Sequence, residues 1–288
     1  MVKIANRHIG NGSKTFFIAE IGINHNGSLE TAEKLIKECK IAGADAVKFQ
    51  KRTIDKVYTK EELAKERESV FGKTNGDLKK GLEFSNSDFQ KIDKICKDNN
   101  IIWFASCWDE ESVDFMESFD IPCYKIASAS LTDKNLLEHT AKTKKPIIIS
   151  TGMSSENEIE KSVKLFDLNN LIILHCTSSY PCNIEELNLS YIKTLKKNYS
   201  CPIGYSGHEV GLSTTLAAVA LGAKVVERHV TLDRSMWGSD QSASIEPQGL
   251  KKLVRDIRTF EEAYGDGKKK VYESEKPILK KLRRVNSI

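Results

Sequence analysis

Two histidines, His208 and His229, offer the clearest start to a reading of chemistry in this chain. Short apolar runs at 202–205 and 224–230 flank a Gly- and Ala-rich segment at 211–221, and the runs carry the polar stretches SGH (206–208) and ERH (227–229). The pattern reads as one βαβ unit, whose crossover makes the two strands parallel neighbours. Adjacent parallel strands lie about 4.8 Å apart, so two imidazoles at matching ends can share one ion. They can equally be hydrogen-bonded edge histidines, and spacing alone leaves both roles open.

Two lysines stand inside apolar runs, Lys48 in AVKFQ and Lys125 in YKIA. A charge carried into a barrel interior is costly unless an anion meets it. Hydroxyls recur at the ends of the same kind of run: Ser106, Ser128, Ser150, Thr177, Ser178, Tyr180 and Ser206. Any single one reads as a local cap, but lysines and hydroxyls around one opening suit an anionic, oxygen-rich ligand such as a phosphate ester. Glu20 in FFIAEIGI and Asp240 in WGSDQ add carboxylates, which makes a metal compatible beside the anion.

The elements that must position these residues alternate. After a prelude at 1–15 with the look of a hairpin, the first buried strand is read at 16–23 and a Ser28-capped helix runs to Ala42. Gly43 closes that helix, and a second strand occupies 46–50. A charged insertion at 51–83 follows, with a short helix expected at 60–71 and a role as lid or substrate wall. Helices are then read at 87–97, 110–119, 133–142, 155–166, 188–198 and 247–264, and strands at 101–106, 123–127, 146–150 and 171–176. With the axial unit this gives eight strands alternating with eight helices, and predicts a closed (β/α)₈ TIM barrel. No Gly-rich nucleotide motif follows the first strand, which weighs against an open doubly wound sheet. One catalytic domain over 1–288 is expected, its last segment, 265–288, a tail.

A net charge of +4 over 288 residues is spread along the chain and predicts neither a nucleic-acid nor a membrane partner. The N-terminus lacks the apolar core of a signal peptide, so a cytoplasmic location is the default expectation. The seven cysteines include no CxxC pair, and Cys107, Cys123 and Cys176 read as buried thiols rather than nucleophiles.

EIGINHNGS (20–28), ADAVKFQ (44–50), YKIASAS (124–130), ISTGM (149–153), LHCTSSYP (174–181), GYSGH (204–208) and ERHVTLD with SIEP (227–233, 244–247) resemble the sialic acid (N-acetylneuraminate) synthase family. The resemblance implies condensation of phosphoenolpyruvate with an N-acetylated hexosamine or related aldose aldehyde to give a nonulosonic acid. It implies a divalent metal on His208 and His229, manganese first, with Mg²⁺ or Co²⁺ as alternatives. Lys48, Ser106, Lys125, Ser128, Ser150 and Ser206 match residues that hold phosphoenolpyruvate, with Thr177 and Ser178 beside them. Glu20, Tyr180 and Asp240 match the acceptor side, and Glu20 or a metal-bound water would activate the water that adds at C2. A homodimer is implied as well.

The chain departs from the family pattern at Ser130, Gly207 and Gln241, where the family usually has an acid, an acid and a histidine, and at Ser178, an asparagine in some members. The family also continues into a small antifreeze-like domain that supplies an arginine to the acceptor's acyl group. Donor residues are thus expected to be kept and acceptor residues thinned, with 51–83, Trp108 and Trp237 as candidates to rebuild the acceptor wall. Replacing Lys48 or Lys125 by methionine is expected to weaken donor binding while stability holds or rises. Two other readings are carried: an aldolase using Lys48 or Lys125 as a Schiff base, and a non-catalytic sugar-phosphate binding protein.

Overall fold

The computed structural model describes residues 1–285. The chain opens with a hairpin, β1 (Val2–Ile4) paired antiparallel with β2 (Arg7–Ile9). β3 (Phe16–Gly22) is buried at every position, as a strand covered on both faces must be. α1 (Leu29–Ala42) starts where the Ser28 hydroxyl accepts from Thr31 N, and stops at Gly43, which is left-handed at φ 86°. Ala32, Leu35, Ile36 and Cys39 form its buried stripe. β4 (Ala46–Lys51) then pairs in parallel with β3.

The insertion after β4 is not a helix between flexible turns. It holds α2 (Ile54–Val57), α3 (Lys60–Ala64), a hairpin of β5 (Glu66–Ser69) and β6 (Gly72–Thr74), and α4 (Asn75–Leu82). The helix expected at 60–71 ends at Ala64 because α3 buries no residue and has no apolar face to extend. A reciprocal capping box between Thr74 and Asp77 starts α4 instead. Phe71 lies against Gly27 and Gly81, where any β-carbon would collide with its ring.

Alternation then resumes through α5 (Asn86–Asp98), β7 (Ile102–Cys107), α6 (Glu110–Glu117), β8 (Tyr124–Ile126), α7 (Lys134–Ala141) and β9 (Ile147–Ser150). It continues with α8 (Glu156–Val163), β10 (Leu171–Cys176), α9 (Tyr191–Asn198), β11 (Ile203–Gly207), α10 (Ser213–Ala220), β12 (Val225–His229) and α11 (Pro247–Ala263). α9 begins three residues later than expected, after Asn188 takes a positive φ of 39°. The eight inner strands close in the order β10-β11-β12-β3-β4-β7-β8-β9. The TIM-barrel expectation holds. A short α12 (Lys276–Leu282) lies in the segment expected to be a tail, whose residues 286–288 fall outside the described residues.

Candidate active site

The register of β11 on β12 pairs Ser206 with Glu227 and Gly207 with Arg228, so His208 and His229 come next at matching ends. Their ring centres are 5.3 Å apart. His208 Nδ1 donates to the Thr177 carbonyl at 2.8 Å, which leaves Nε2 with a free lone pair. His229 Nδ1 is buried without a partner and lies 3.7 Å from Asp240 Oδ2, beyond hydrogen-bond length. Burial lowers the His229 pKa to about 4, keeping the ring neutral at ordinary pH. Tyr180 covers the pair, its ring centre 4.0 Å from that of His208 and 5.7 Å from that of His229.

Deeper in the mouth, Lys48 Nζ is 2.8 Å from Glu20 Oε2, 2.7 Å from Ser106 Oγ and 3.7 Å from Glu227 Oε1. Lys125 Nζ is 3.6 Å from the same Glu227 oxygen and donates to the Ile126 carbonyl at 3.2 Å. Ser206 Oγ donates to Glu227 Oε1 at 3.3 Å, and Gln50 Nε2 to Glu20 Oε1 at 2.9 Å. The protein therefore meets its buried lysines with carboxylates of its own, which the sequence reading assigned to a ligand alone. Burial lowers the Lys125 pKa, while the Lys48 pKa is raised because Glu20 and Glu227 outweigh its burial. Burial raises Glu20 above the ordinary carboxylate range even with Lys48 beside it.

These groups line one cavity of about 230 Å³. Of the expected residues, Glu20, Lys48, Ser106, Lys125, Ser128 and Ser150 reach it, as do Ser178, Tyr180, Ser206, His208 and His229. Ser150 Oγ is buried with no partner. The Ser128 hydroxyl accepts from Gly152 N at 3.1 Å, and a β-carbon on Gly152 would lie 2.8 Å from it and closer still to Ser178 Oγ. Only glycine lets these two hydroxyls converge there.

Thr177 and Asp240 do not line the cavity. The Thr177 hydroxyl turns away to donate to the Glu186 carbonyl at 3.1 Å, so its part is the carbonyl that orients His208. Ser130 is likewise off the lining, buried in the turn after β8. Sequence reasoning missed Gln50, Glu227, Met153 and Cys176 as lining residues, whereas Trp108, named as a candidate for the acceptor wall, does line the cavity. A period of two would have found the first pair, since Gln50 shares a strand face with Lys48 and Glu227 with His229. Cys176 differs from the expected inert thiol: burial pushes it up, but His208, Ser128 and Lys125 bring it down to about 7. Its sulfur is 3.8 Å from His208 Nδ1, which is committed to the shorter Thr177 bond.

The fold is a closed parallel barrel whose strand ends present lysines, hydroxyls, carboxylates and a histidine pair to one cavity, the place where barrel enzymes carry their chemistry. The chain belongs to the NeuB family, whose sequence profile matches residues 35–269. Human N-acetylneuraminate-9-phosphate synthase is 40% identical over 281 residues, covering 96% of this chain and 78% of its own length. N,N'-diacetyllegionaminic acid synthase of Legionella pneumophila is 37% identical over 286 residues, covering 96% of this chain and 80% of its own. The crystal structure of the N-acetylneuraminic acid (sialic acid) synthetase of Leptospira borgpetersenii superposes with a TM-score of 0.85 at 34% identity. That match covers 99% of this chain and 98% of the other.

Proposed function

We propose that this protein is a sialic-acid-type synthase that condenses phosphoenolpyruvate with an aldose acceptor and water, releasing a 3-deoxy-2-keto sugar acid and phosphate. The observation that carries the reading is that Lys48, Lys125 and the His208–His229 pair face one cavity. Two ammonium groups and the unpartnered Ser150 hydroxyl offer charge-assisted bonds to the donor's phosphate and carboxylate. That hold orients C3 of the enol toward the acceptor carbon and favours the departing phosphate.

The residues fit a divalent metal. Among the described residues no group of three or more His, Cys, Asp and Glu side chains is arranged as a metal cluster, so the fit rests on the histidine pair. His229 keeps an orphaned nitrogen and His208 a freed one, and two imidazoles leave positions open for water and substrate oxygens. Manganese, or Mg²⁺ or Co²⁺, would polarise the acceptor aldehyde as a Lewis acid.

The chain's own residues handle the protons. Glu20, raised by burial and 2.8 Å from Lys48 Nζ, is placed to take the proton of the water that adds at C2. Tyr180 and Asp240 stand on the His229 side, where the acceptor approaches. A second reading has one supporting observation: the lowered Lys125 is the kind of amine that forms a Schiff base. Trapping with borohydride and pyruvate would favour it, and loss of activity on chelation favours the first.

The proposal extends to the cytoplasm as the place of reaction and to a homodimer, checked by mass in solution. All seven cysteines are free, and no helix among the described residues is long and apolar enough to cross a membrane. The test of function is phosphate release from phosphoenolpyruvate against a panel of aldoses, with and without manganese. No release with any acceptor under either condition would end the proposal.

A further inference from the structure

The foot of the barrel, where the strands begin, carries a second cluster of charge. Lys14 in the loop before β3, Lys196 of α9 and Lys224 just ahead of β12 line one cavity of about 500 Å³. Lys196 and Lys224 also line an adjoining cavity of about 270 Å³. None of the three has an ion-pair partner among the described residues. Lys196 Nζ packs on Gly222, where a β-carbon would collide with it, and Lys224 Nζ reaches only the Ser13 carbonyl, at 3.2 Å. A lone surface lysine is ordinarily solvated, but like charges gathered on one cavity repel until an anion meets them.

The acids of the lining do little to offset them. Glu261 is spent on the Thr15 N–H and on Arg258 Nη1 at 3.1 Å. That leaves Glu262 as the one acid on the lining without an ion pair among the described residues. The loop from β2 to β3 adds donors. Gly10 and Gly12 take φ values of 146° and 82°, and the N–H groups of Asn11, Gly12 and Lys14 meet no acceptor among the described residues. Unpaired N–H groups gathered in such a turn make an anion-binding concavity. Phe260 and Tyr264, their ring centres 5.5 Å apart, flank the same cavity.

We propose that Lys14, Lys196, Lys224 and the Asn11–Lys14 loop form a binding site for a phosphate group at the foot of the barrel, carried free or as the ester of a small molecule. Three ammonium groups against one free carboxylate leave a surplus that a phosphate monoester, at about −1.5 to −2 near neutral pH, matches and a single carboxylate does not. The cavity is within the size range of small-molecule sites, and the two aromatic rings would receive the organic part of an ester. The site lies a strand's length from the mouth. Lys224 N donates to the Ile203 carbonyl at 2.7 Å and its carbonyl accepts from Phe16 N at 2.9 Å. It thus stands at the feet of β11, β12 and β3, whose opposite ends lead to His208, His229 and Glu20. The inference does not depend on the synthase reading.

The experiment follows backbone amide resonances of the whole protein during titration with inorganic phosphate and with adenosine 5′-monophosphate, against sodium chloride at equal ionic strength. Site-resolved signals are needed because the mouth is expected to take phosphate as well. Saturable shifts at Asn11, Gly12 and Gly222 are expected with both phosphates and not with chloride. Lys14→Met and Lys196→Met should each weaken that binding about tenfold, the scale of one charged hydrogen bond, and leave kcat/KM for phosphoenolpyruvate unchanged. Tighter binding of the nucleotide would make the ligand an ester seated on Phe260 and Tyr264, and equal binding would make the phosphate group the whole of what is recognised. Shifts confined to residues of the mouth overturn the proposal. So do shifts at the foot that chloride reproduces, or that both lysine variants retain at wild-type affinity.

Discussion

The carboxylate of Glu209 fills the space that a side chain at residue 207 would need: a β-carbon on Gly207 would come within 2.5 Å of Glu209 Oε2. Glu209 and Arg228 are joined at 3.0 Å and both are fully buried. Glu209 follows His208 by one residue just beyond β11 and Arg228 precedes His229 by one on β12, so the pair ties the two histidine-bearing strand ends together. The resemblance led to an expected acid at 207, and the structure supplies a buried acid at that place from Glu209 instead. Gly207→Asp alone should fail, since two carboxylates cannot share that space. Combining it with Glu209→Thr should recover most of the lost stability and activity. Removing one partner of a buried pair costs about 3–5 kcal/mol, so Arg228→Met is expected to be markedly unstable. Thermal denaturation of the four proteins checks this, and a double variant no better than Gly207→Asp would refute it.

Lys48 reverses an expectation drawn from sequence. Replacing it with methionine was expected to leave stability intact, because a buried charge would vanish. With Glu20 at 2.8 Å and Glu227 at 3.7 Å, the substitution strands two buried acids instead. Lys48→Met should therefore destabilise the fold by about 3–5 kcal/mol as well as raising the Michaelis constant for phosphoenolpyruvate. The triple change with Glu20→Gln and Glu227→Gln should regain much of the stability and none of the activity. Unaltered chemical denaturation of the single variant would show that the carboxylates are not held by this lysine.

Barrel closure was legible because parallel strands buried on both faces read as continuous apolar runs, and Ser28 and Gly43 mark the ends of α1 as expected. Most of the site was legible for a related reason: a lysine inside such a run has few roles. Glu227 was passed over because its neighbours Arg228 and His229 drew it into a polar strand end, although it shares a strand face with His229. The hairpin of β5 and β6 was hidden by composition. The stretch leading into and through β5, KEELAKERES (60–69), has helix-forming residues but no apolar face, and the contact that decides the hairpin's course, Phe71 on Gly81, spans ten residues along the chain. Gln241 was read as a missing histidine, yet it is a buried tie, accepting from the Thr231 hydroxyl and reaching the Asn24 and Trp237 carbonyls at 3.4 Å.

Acid should loosen the fold through His25. Burial, reinforced by Arg52, lowers its pKa to about 3, and its ring stacks on Phe84 at 4.0 Å. The unfolded chain takes up a proton near the ordinary histidine value of 6.5, whereas the folded chain refuses it until about 3. Stability is then complete above the unfolded value and falls as the pH drops between the two, by up to about 1.4 kcal/mol per unit from this one group. His25→Gln, which keeps an acceptor for the Gly27 N–H that now bonds Nδ1 at 3.0 Å, should flatten the dependence between pH 6 and 4.5. Equal slopes in the variant and the wild type would show that His25 titrates normally.

Each member of the histidine pair should be needed for metal. His208→Ala and His229→Ala are expected to lose manganese binding measured by calorimetry, and turnover by a hundredfold or more, the scale of about 2.7 kcal/mol. Folding should persist in both, because strand-end residues of a barrel serve the mouth more than the core. The second measurement matters because binding is read without turnover. Wild-type manganese affinity in both variants would remove the metal from these residues.

The acyl group of the acceptor should be recognised weakly. Strong discrimination arises where a site offers a buried polar partner to a substrate group, and only modest discrimination where a pocket merely tolerates it. Ser130, which stands in place of the family's acid, is off the cavity lining, and its N–H is spent on the Ala127 carbonyl at 2.9 Å. Gln241 is occupied with Thr231 and the last loop. What the cavity offers an acyl methyl is apolar surface from Ala127, Ala129 and Met153. Burying one methyl-sized group is worth about 0.8 kcal/mol, a factor of about four in specificity. The ratio of kcat/KM for an N-acetylated amino sugar over its unacylated parent is therefore expected to lie well below a thousand on the purified chain. A ratio of a thousand or more, about 4 kcal/mol, would require a polar partner for the amide that neither Ser130 nor Gln241 supplies, and this reading of the acceptor wall would be wrong.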